Sequence, residues 1–174
     1  MRSFHGFETV KQLYLNRLRD HYNADEIIQF SFWNNGKGCA VGCTIHPTDQ
    51  IYYKLPMEVY KQYEKELGIP RILALLKDSI FEGLPNEESK EWPIKFLESI
   101  KVGSDLSSVW NKFSNWIMKD ETKRRIALLN KKHADDTEFD YLDVYNGTNL
   151  CFFFKNNHYI AQSEKLLELL RECV

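Results

Sequence analysis

The sequence has no long hydrophobic run and no strong excess of charge of either sign. No window reaches the length of a transmembrane helix, and the N-terminal stretch MRSFHGFETVKQLYLNRLRDHY contains no apolar segment of signal-peptide length. The 23 basic and 25 acidic residues give a net charge of −2, whereas a nucleic-acid-binding domain is usually strongly basic. We therefore expect a cytoplasmic protein with no membrane partner and no nucleic-acid partner.

Signatures of common enzyme classes are also missing. The chain contains no dinucleotide-binding fingerprint, no complete phosphate loop and no HExxH metalloprotease motif. A chain of 174 residues buries enough surface to fold without disulfides or metals. Its four cysteines are therefore expected to be free thiols or ligands in a reducing cytosol: Cys39, Cys43, Cys151 and Cys173.

What the sequence does contain is the pattern of a helical domain. Hydrophobic residues make up 43% of the chain, and no linker, low-complexity tract or internal repeat divides it. Apolar residues at helical spacing, with Pro at starts and Gly at ends, predict helices in these segments: 8–22, 56–67, 70–82, 92–100, 105–118, 120–132 and 157–173. We expect a mainly α, compact, single multi-helix domain spanning residues 1–174.

One β-hairpin is predicted near residues 139–155. Two β-prone aromatic runs flank Asn146-Gly147 there, and Asn-Gly between such runs is a strong hairpin signal.

The segment NNGKGCAVGCTIHP, residues 34–47, concentrates glycine, cysteine and histidine as no other part of the chain does. If GCAVGCTIH is helical, Cys39, Cys43 and His46 share one face, and Gly38 and Gly42 form an adjacent strip of small residues. The favoured interpretation is structural, since small residues let a neighbouring helix approach closely and free cysteine behaves as a small hydrophobe.

Three functional interpretations of this segment stay open. In the first, an anionic group such as a nucleotide phosphate binds at the start of the helix. Lys37 neutralises its charge, the Gly38 and Cys39 amides donate to it, and His46 lies nearby. The pocket would comprise Trp33, Gly36, Lys37, Gly38, Cys39 and Gly42.

In the second interpretation, Cys39, Cys43 and His46 bind zinc together with His5, His21 or Cys151, although their spacing is not a common zinc-site spacing. In the third, Cys39 is a nucleophile whose base is His46 or a more distant histidine. Elsewhere, Asp78 and Glu82 lie four residues apart on a predicted helix. Such a pair can bind a metal or perform acid–base chemistry, but more often it forms a solvated face.

Several stretches resemble a group of uncharacterised bacterial and phage-associated proteins. They are FWNNGKGCAVGCTIH, YEKELGIPRILALLKDSIFEGLPN, WPIKFLESIKVGSDLSSV and EKLLELLREC. The similarity covers about the first 110 residues and the last ten, whereas residues 115–162 depart from it. Members of the group carry an acid after their N-terminal FHG, where this chain has Phe7. The resemblance implies a phage or bacterial cytoplasmic setting and no particular activity.

Taken together, these patterns favour a protein that acts by binding, without a cofactor. The expected ligand is a small anionic molecule or a host protein, as in a counter-defence role, and the apolar stripes could also serve a homodimer interface. The alternative is an enzyme, namely a hydrolase that depends on Cys39 or on zinc held by Cys39, Cys43 and His46.

Overall fold

The computed structural model describes residues 2–46, 56–119 and 159–174, and these are mainly helical, as the sequence predicts. After a short 3-10 helix at Ser3–Gly6 come the elements α1 (Glu8–Asn23), β1 (Trp33–Asn34), β2 (Lys37–Gly38), α2 (Gly42–Ile45), α3 (Pro56–Leu67), α4 (Arg71–Gly83) and α5 (Asn86–Glu98). Residues 109–119 form α6, and α7 spans Tyr159–Arg171.

Local sequence signals explain where most of these helices begin and end. Helix α3 begins at Pro56 and stops just before Gly68, whose φ of +64° is a left-handed conformation that favours glycine. Pro70 precedes α4, and its fixed φ suits the residue before a helix. The helices predicted from the N-terminal stretch and the C-terminal leucines are confirmed as α1 and α7.

The sequence offers two starts for α5, namely Asn86 as a plausible cap and Trp92 just before Pro93. Pro93 was expected to delay the regular helix to about Trp92, but the helix begins at Asn86 and continues through the proline. Proline inside a helix removes one backbone hydrogen bond. The neighbouring side chains of Trp92, Phe96 and Leu97 are all buried, and that burial offsets the loss.

Helix α4 lies at the centre of the packing. It contacts α3, α5 and α7, while α1 packs against α5 and α2. The side chains that α4 contributes to the core are fully buried and include Leu73, Leu76, Ile80 and Phe81. No helix in the described part of the chain has the length and hydrophobicity needed to cross a membrane.

A hairpin does occur, but at residues 33–38, where none was predicted from the sequence. Trp33 pairs with Gly38 and Asn34 with Lys37, in antiparallel register. Asn35 and Gly36 form the turn with φ of +49° and +84°, the two positive values that a tight hairpin turn needs. The hairpin predicted near residues 139–155 lies outside the described residues.

The helix expected over GCAVGCTIH is also much shorter than predicted. Only Gly42–Ile45 is helical, a single turn. The chain is extended at Gly38 because this residue forms a parallel β-bridge with Ile27: its N–H donates to Glu26 O (3.0 Å) and its carbonyl accepts from Ile28 N (2.9 Å). Cys39, Cys43 and His46 therefore do not share a helix face.

Gly38 and Gly42 are needed for a close approach of two backbones. A Cβ added at either position would collide with the carbonyl group of Phe32. The structural interpretation of the two glycines is therefore confirmed, although the element that approaches them is the extended chain before β1 and not a neighbouring helix.

Candidate functional site

The amides proposed to bind an anion are occupied within the protein. The Gly38 N–H donates to Glu26 O, and the Cys39 N–H donates to Phe32 O at 3.2 Å. Lys37 is exposed on β2, and α2 is too short to have an ordinary helix N-terminus. The geometry therefore gives these two amides a structural role.

The structure also separates the three residues of the proposed zinc site. The Cys43 thiol donates to Gly38 O at 3.2 Å, the Cys39 thiol lies beside Asp78, and His46 contacts His21. Among the suggested fourth ligands, His5 bonds to Lys65 O, and Cys151 lies outside the described residues. Residues of the segment thus contribute to two separate polar sites, His46 to one and Cys39 to the other.

The first site, which we call the histidine groove, is an open groove of about 530 Å³ on α1. It is lined by Leu13, Asn16, Arg17, Asp20, His21, Ala24, Glu26 and His46. Three of these side chains form a hydrogen-bonded series, namely Glu26, His21 and His46. Glu26 Oε2 lies 2.6 Å from Nδ1 of His21, and Nε2 of His21 faces Nε2 of His46 at hydrogen-bonding distance.

The proton positions in this series follow from the partners. Because a carboxylate only accepts, Nδ1 of His21 carries a proton, and one further proton lies between the two facing Nε2 atoms. His46 sits at the end of α2 with a left-handed φ of +48°, which is uncommon for a non-glycine residue. Its ring lies against that of His21 on α1.

The Trp33 ring contacts the rings of both His46 and His21. The two rings stack with centroids 4.7 Å apart and planes 26° from parallel, and Trp33 also meets His21 edge-on at 5.6 Å. The β1–β2 hairpin fixes Trp33 in this place. Trp33 was predicted as a pocket wall, and its contacts are with the two histidines of the groove.

Arg17 supplies the positive charge of the histidine groove. It lies one helical turn before His21, and its Nη1 donates to Thr44 O at 2.8 Å. Desolvation, with Arg17 as the next largest cause, lowers the pKa of His46 to about 4, and Glu26 opposes this more weakly. The electrostatic influence of Arg17 at the His46 ring therefore exceeds that of the Glu26 carboxylate.

The second site lies in the core and begins with Lys77, which is fully buried on α4. Its Nζ donates to Thr44 Oγ1 (2.9 Å), Ala40 O (3.1 Å) and Tyr63 OH (3.3 Å). Burial is the main reason why the pKa of Lys77 falls to about 7. These bonds fasten α4 to the segment that carries the two cysteines.

Next to Lys77 lies a group that we call the thiol–carboxylate cluster, namely Cys39, Asp78 and Glu82. One ligand atom from each residue lies within 4.8 Å of those of the other two. Burial raises the pKa of both carboxyl groups, that of Glu82 to about 7. The paired acids on α4, expected most often to be a solvated face, therefore point inward.

The environment of Cys39 contradicts its interpretation as an activated nucleophile. The thiol is 1% exposed, and burial, followed by the neighbouring Asp78 carboxylate, raises its pKa well above the ordinary value. A nucleophilic cysteine needs the opposite conditions, a lowered pKa and access to substrate. Nor does Cys39 contact a histidine in the described structure.

Sequence reasoning missed Arg17, Glu26 and Lys77 and mentioned His21 only as one of several zinc ligands. A signal for Lys77 was present, because ILALLKDSIF places Lys and Asp inside an otherwise apolar helix. Nothing comparable marks Glu26, which reaches His21 only after the chain turns at the end of α1.

Comparison with known proteins found no matching family model, no matching curated protein and no matching solved structure. The two polar sites are therefore interpreted from their own geometry.

Proposed function

We propose that this protein acts by binding a small anionic molecule in the histidine groove. The observation that carries the proposal is the meeting of Arg17 with the two imidazoles on the floor of an open groove. A guanidinium group has five N–H donors arranged to match a carboxylate or phosphate, more than the bond to Thr44 O uses.

The position of Arg17 beside the His46 ring supports an anion there, although the lining also contains Asp20 and Glu26. Glu26 is bonded to His21 through Oε2, and Asp20 is exposed at the rim. Arg17 affects the His46 ring more strongly than Glu26 does. A carboxylate or phosphate beside Arg17 and His46 would therefore lie next to the guanidinium group of the lining, with the Glu26 carboxylate engaged by His21.

Size and rigidity also suit a small ligand. A volume of about 530 Å³ lies within the usual range for ligand pockets, about 300–1,000 Å³. Trp33 and Glu26 fix the two imidazoles before any ligand arrives, which reduces the entropy lost on binding.

The test is an NMR titration with inorganic phosphate and with AMP, following the ring signals of His21 and His46. We expect saturable shifts at both rings, and Arg17→Met should weaken binding at least about tenfold, since a hydrogen bond to a charged group contributes about 1.5–3 kcal/mol. Lys37→Ala is the matched control. It also removes one positive charge, but it lies outside the groove lining and should leave the affinity unchanged.

Weakening by Lys37→Ala with no effect of Arg17→Met would contradict the proposal and favour a pocket at residues 36–42. Absence of saturable shifts with both compounds, at concentrations up to the millimolar range, would remove the anion-binding function.

A hydrolase is the second candidate, favoured by the hydrogen-bonded series from Glu26 through His21 to His46. The neutral His46 ring would accept a proton from an attacking water molecule, and Glu26 would orient His21 behind it. Hydrolysis of p-nitrophenyl acetate and p-nitrophenyl phosphate, compared between the native protein and His46→Gln, tests this. Equal rates would exclude the role.

A further inference from the structure

We propose that Cys39, Asp78 and Glu82 form a binding site for a zinc ion. The site is separate from the histidine groove and does not depend on the function proposed there. It also differs from the zinc site suggested by the sequence, because it shares only Cys39 with that set.

The spacing of the three side chains suits one ion. Zinc binds thiolate sulfur at about 2.3 Å and carboxylate oxygen at about 2.0–2.2 Å, so its ligand atoms lie roughly 3.3–3.8 Å from one another. The three ligand atoms here all lie within 4.8 Å of one another. Each pair of ligand atoms would need to approach by at most about 1.5 Å to share one ion.

An unpartnered oxygen points to a ligand that completes the cluster. Asp78 is only 9% exposed, and its buried Oδ1 makes no hydrogen bond of ordinary distance and angle within the described residues, although the Cys39 thiol and the Val41 N–H lie close to the carboxylate. A buried carboxylate oxygen without a partner is costly, and native structures rarely keep one. A cation bound between the three side chains would satisfy it.

The ammonium group of the neighbouring Lys77 does not satisfy the Oδ1 atom of Asp78. Within the described residues, Lys77 Nζ donates to Ala40 O, Thr44 Oγ1 and Tyr63 OH, and not to the carboxylate of Asp78. Lys77 therefore lowers the electrostatic cost of the buried acid without satisfying its oxygen.

Two further hydrogen bonds orient the carboxylates of Asp78 and Glu82. Residues next to a metal site commonly orient its ligands in this way. Tyr60 OH donates to Oδ2 of Asp78 at 2.9 Å, and the backbone N–H of Phe30 donates to Oε2 of Glu82 at 2.7 Å. Each bond engages one oxygen of its carboxylate, so the other can face the ion. Such second contacts hold ligands in place and strengthen binding.

Regular elements position the ligands. Asp78 and Glu82 are four residues apart on α4 and so lie on one face of it, while the Cys39 backbone is fixed by its bond to Phe32 O. Glu82 is half-buried, and the adjoining Phe30 is 85% exposed, so the cluster is nearest to solvent at Glu82.

The donor set favours zinc among the common divalent ions. A thiolate is a soft ligand that magnesium and calcium avoid, whereas zinc accepts sulfur and carboxylate oxygen together. Binding converts the Cys39 thiol to a thiolate, and the displaced proton passes to solvent. Three protein ligands leave a fourth tetrahedral position for water or another group.

Cobalt(II) is the probe for the experiment, because a cobalt–thiolate bond gives a charge-transfer absorption in the near ultraviolet. Full-length protein treated with a chelator is titrated with Co²⁺, and then with Zn²⁺ in competition. We expect one equivalent of Co²⁺ to produce the band and Zn²⁺ to abolish it.

Four variants locate the ligands. Cys39→Ser should abolish the band, and Glu82→Gln, at a half-buried position where folding is least threatened, should weaken Co²⁺ binding at least about tenfold. Cys173→Ser, another buried thiol far along the chain, should leave the titration unchanged. Cys43→Ser should also keep the band. Circular dichroism of each variant checks that it is folded.

Three results would overturn the proposal. They are the absence of a thiolate band in the native protein, an affinity unchanged by Glu82→Gln, and loss of the band in folded Cys43→Ser, which would return the site to Cys39, Cys43 and His46.

Discussion

Replacing Gly42 with alanine should destabilise the protein by about 2 kcal/mol, although alanine is the better helix former. Gly42 opens α2, and the backbone of Phe32 passes directly over it. An added Cβ would lie 3.0 Å from the Phe32 carbonyl carbon, closer still to its oxygen, and 3.5 Å from Cβ of Trp33. The obstacle is backbone, which cannot move aside as a flexible side chain can.

The magnitude follows from three contributions. Overpacking of this kind costs about 1–3 kcal/mol, and the upper half applies because the carbonyl must shift by roughly 1 Å. The same carbonyl accepts the Cys39 N–H at 3.2 Å, and weakening that bond costs up to about 1 kcal/mol. Against these, alanine gains at most about 1 kcal/mol over glycine in a helix, and less in a single turn.

Urea unfolding followed by tryptophan fluorescence measures the change. For a chain of this length, 2 kcal/mol corresponds to a fall in melting temperature of roughly 4–8 °C. Gly36→Ala is the control, because nothing lies within 4 Å of its added Cβ and only its φ of +84° opposes the change. A Gly42→Ala variant as stable as the native protein would refute the close-approach argument.

Three further predictions concern reactivity, pH and packing. Burial raises the pKa of the Cys43 thiol from 9.0 to about 12. At pH 7 its alkylation by iodoacetamide should therefore be on the order of 1,000-fold slower in the folded than in the denatured protein. Rapid labelling of Cys43 in the native protein, detected by mass spectrometry, would contradict this. The pKa of His46 falls from 6.5 to about 4 on folding, so the unfolded state takes up its proton first as the pH drops. The native protein should therefore lose more stability than His46→Gln between about pH 6.5 and 4, measured by urea unfolding at several pH values, and equal losses would argue against the shift. A Cβ at Gly83 would overlap the Tyr159 ring, so Gly83→Ala should lower the free energy of unfolding by about 1–2 kcal/mol. The loss should be much smaller in a Tyr159→Ala background. Additive effects of the two substitutions in a double-mutant cycle would argue against a direct contact.

The helices were predictable because their signals are local. Apolar residues at helical spacing, Pro70 before α4 and Gly68 after α3 act within a few residues, and the observed boundaries follow them closely. The later start of α5, near Trp92, is wrong because burial around Pro93 outweighs its local preference, and that burial depends on distant residues.

The candidate sites were only partly predictable. The unusual composition of residues 34–47 drew attention to the right segment, but a continuous helix over GCAVGCTIH, considered from the sequence, would have placed Cys39, Cys43 and His46 on one face. The extended chain around Gly38, fixed by bonds to Glu26 and Ile28, separates them instead. Asn35-Gly36 also carried the same hairpin signal as Asn146-Gly147, and it was overlooked because its flanking runs are short.

The sequence by itself determined a mainly helical domain and the position of its most unusual segment, since hydrophobic periodicity and turn chemistry are properties of neighbouring residues. Only the tertiary structure decided which groups meet. Glu26 reaches His21 across a turn, His46 returns to α1, and Cys39 faces the carboxylates of α4 from a different element. Such contacts depend on how the elements pack, and no local pattern encodes the distance between residues as far apart in sequence as His21 and His46 or Cys39 and Asp78.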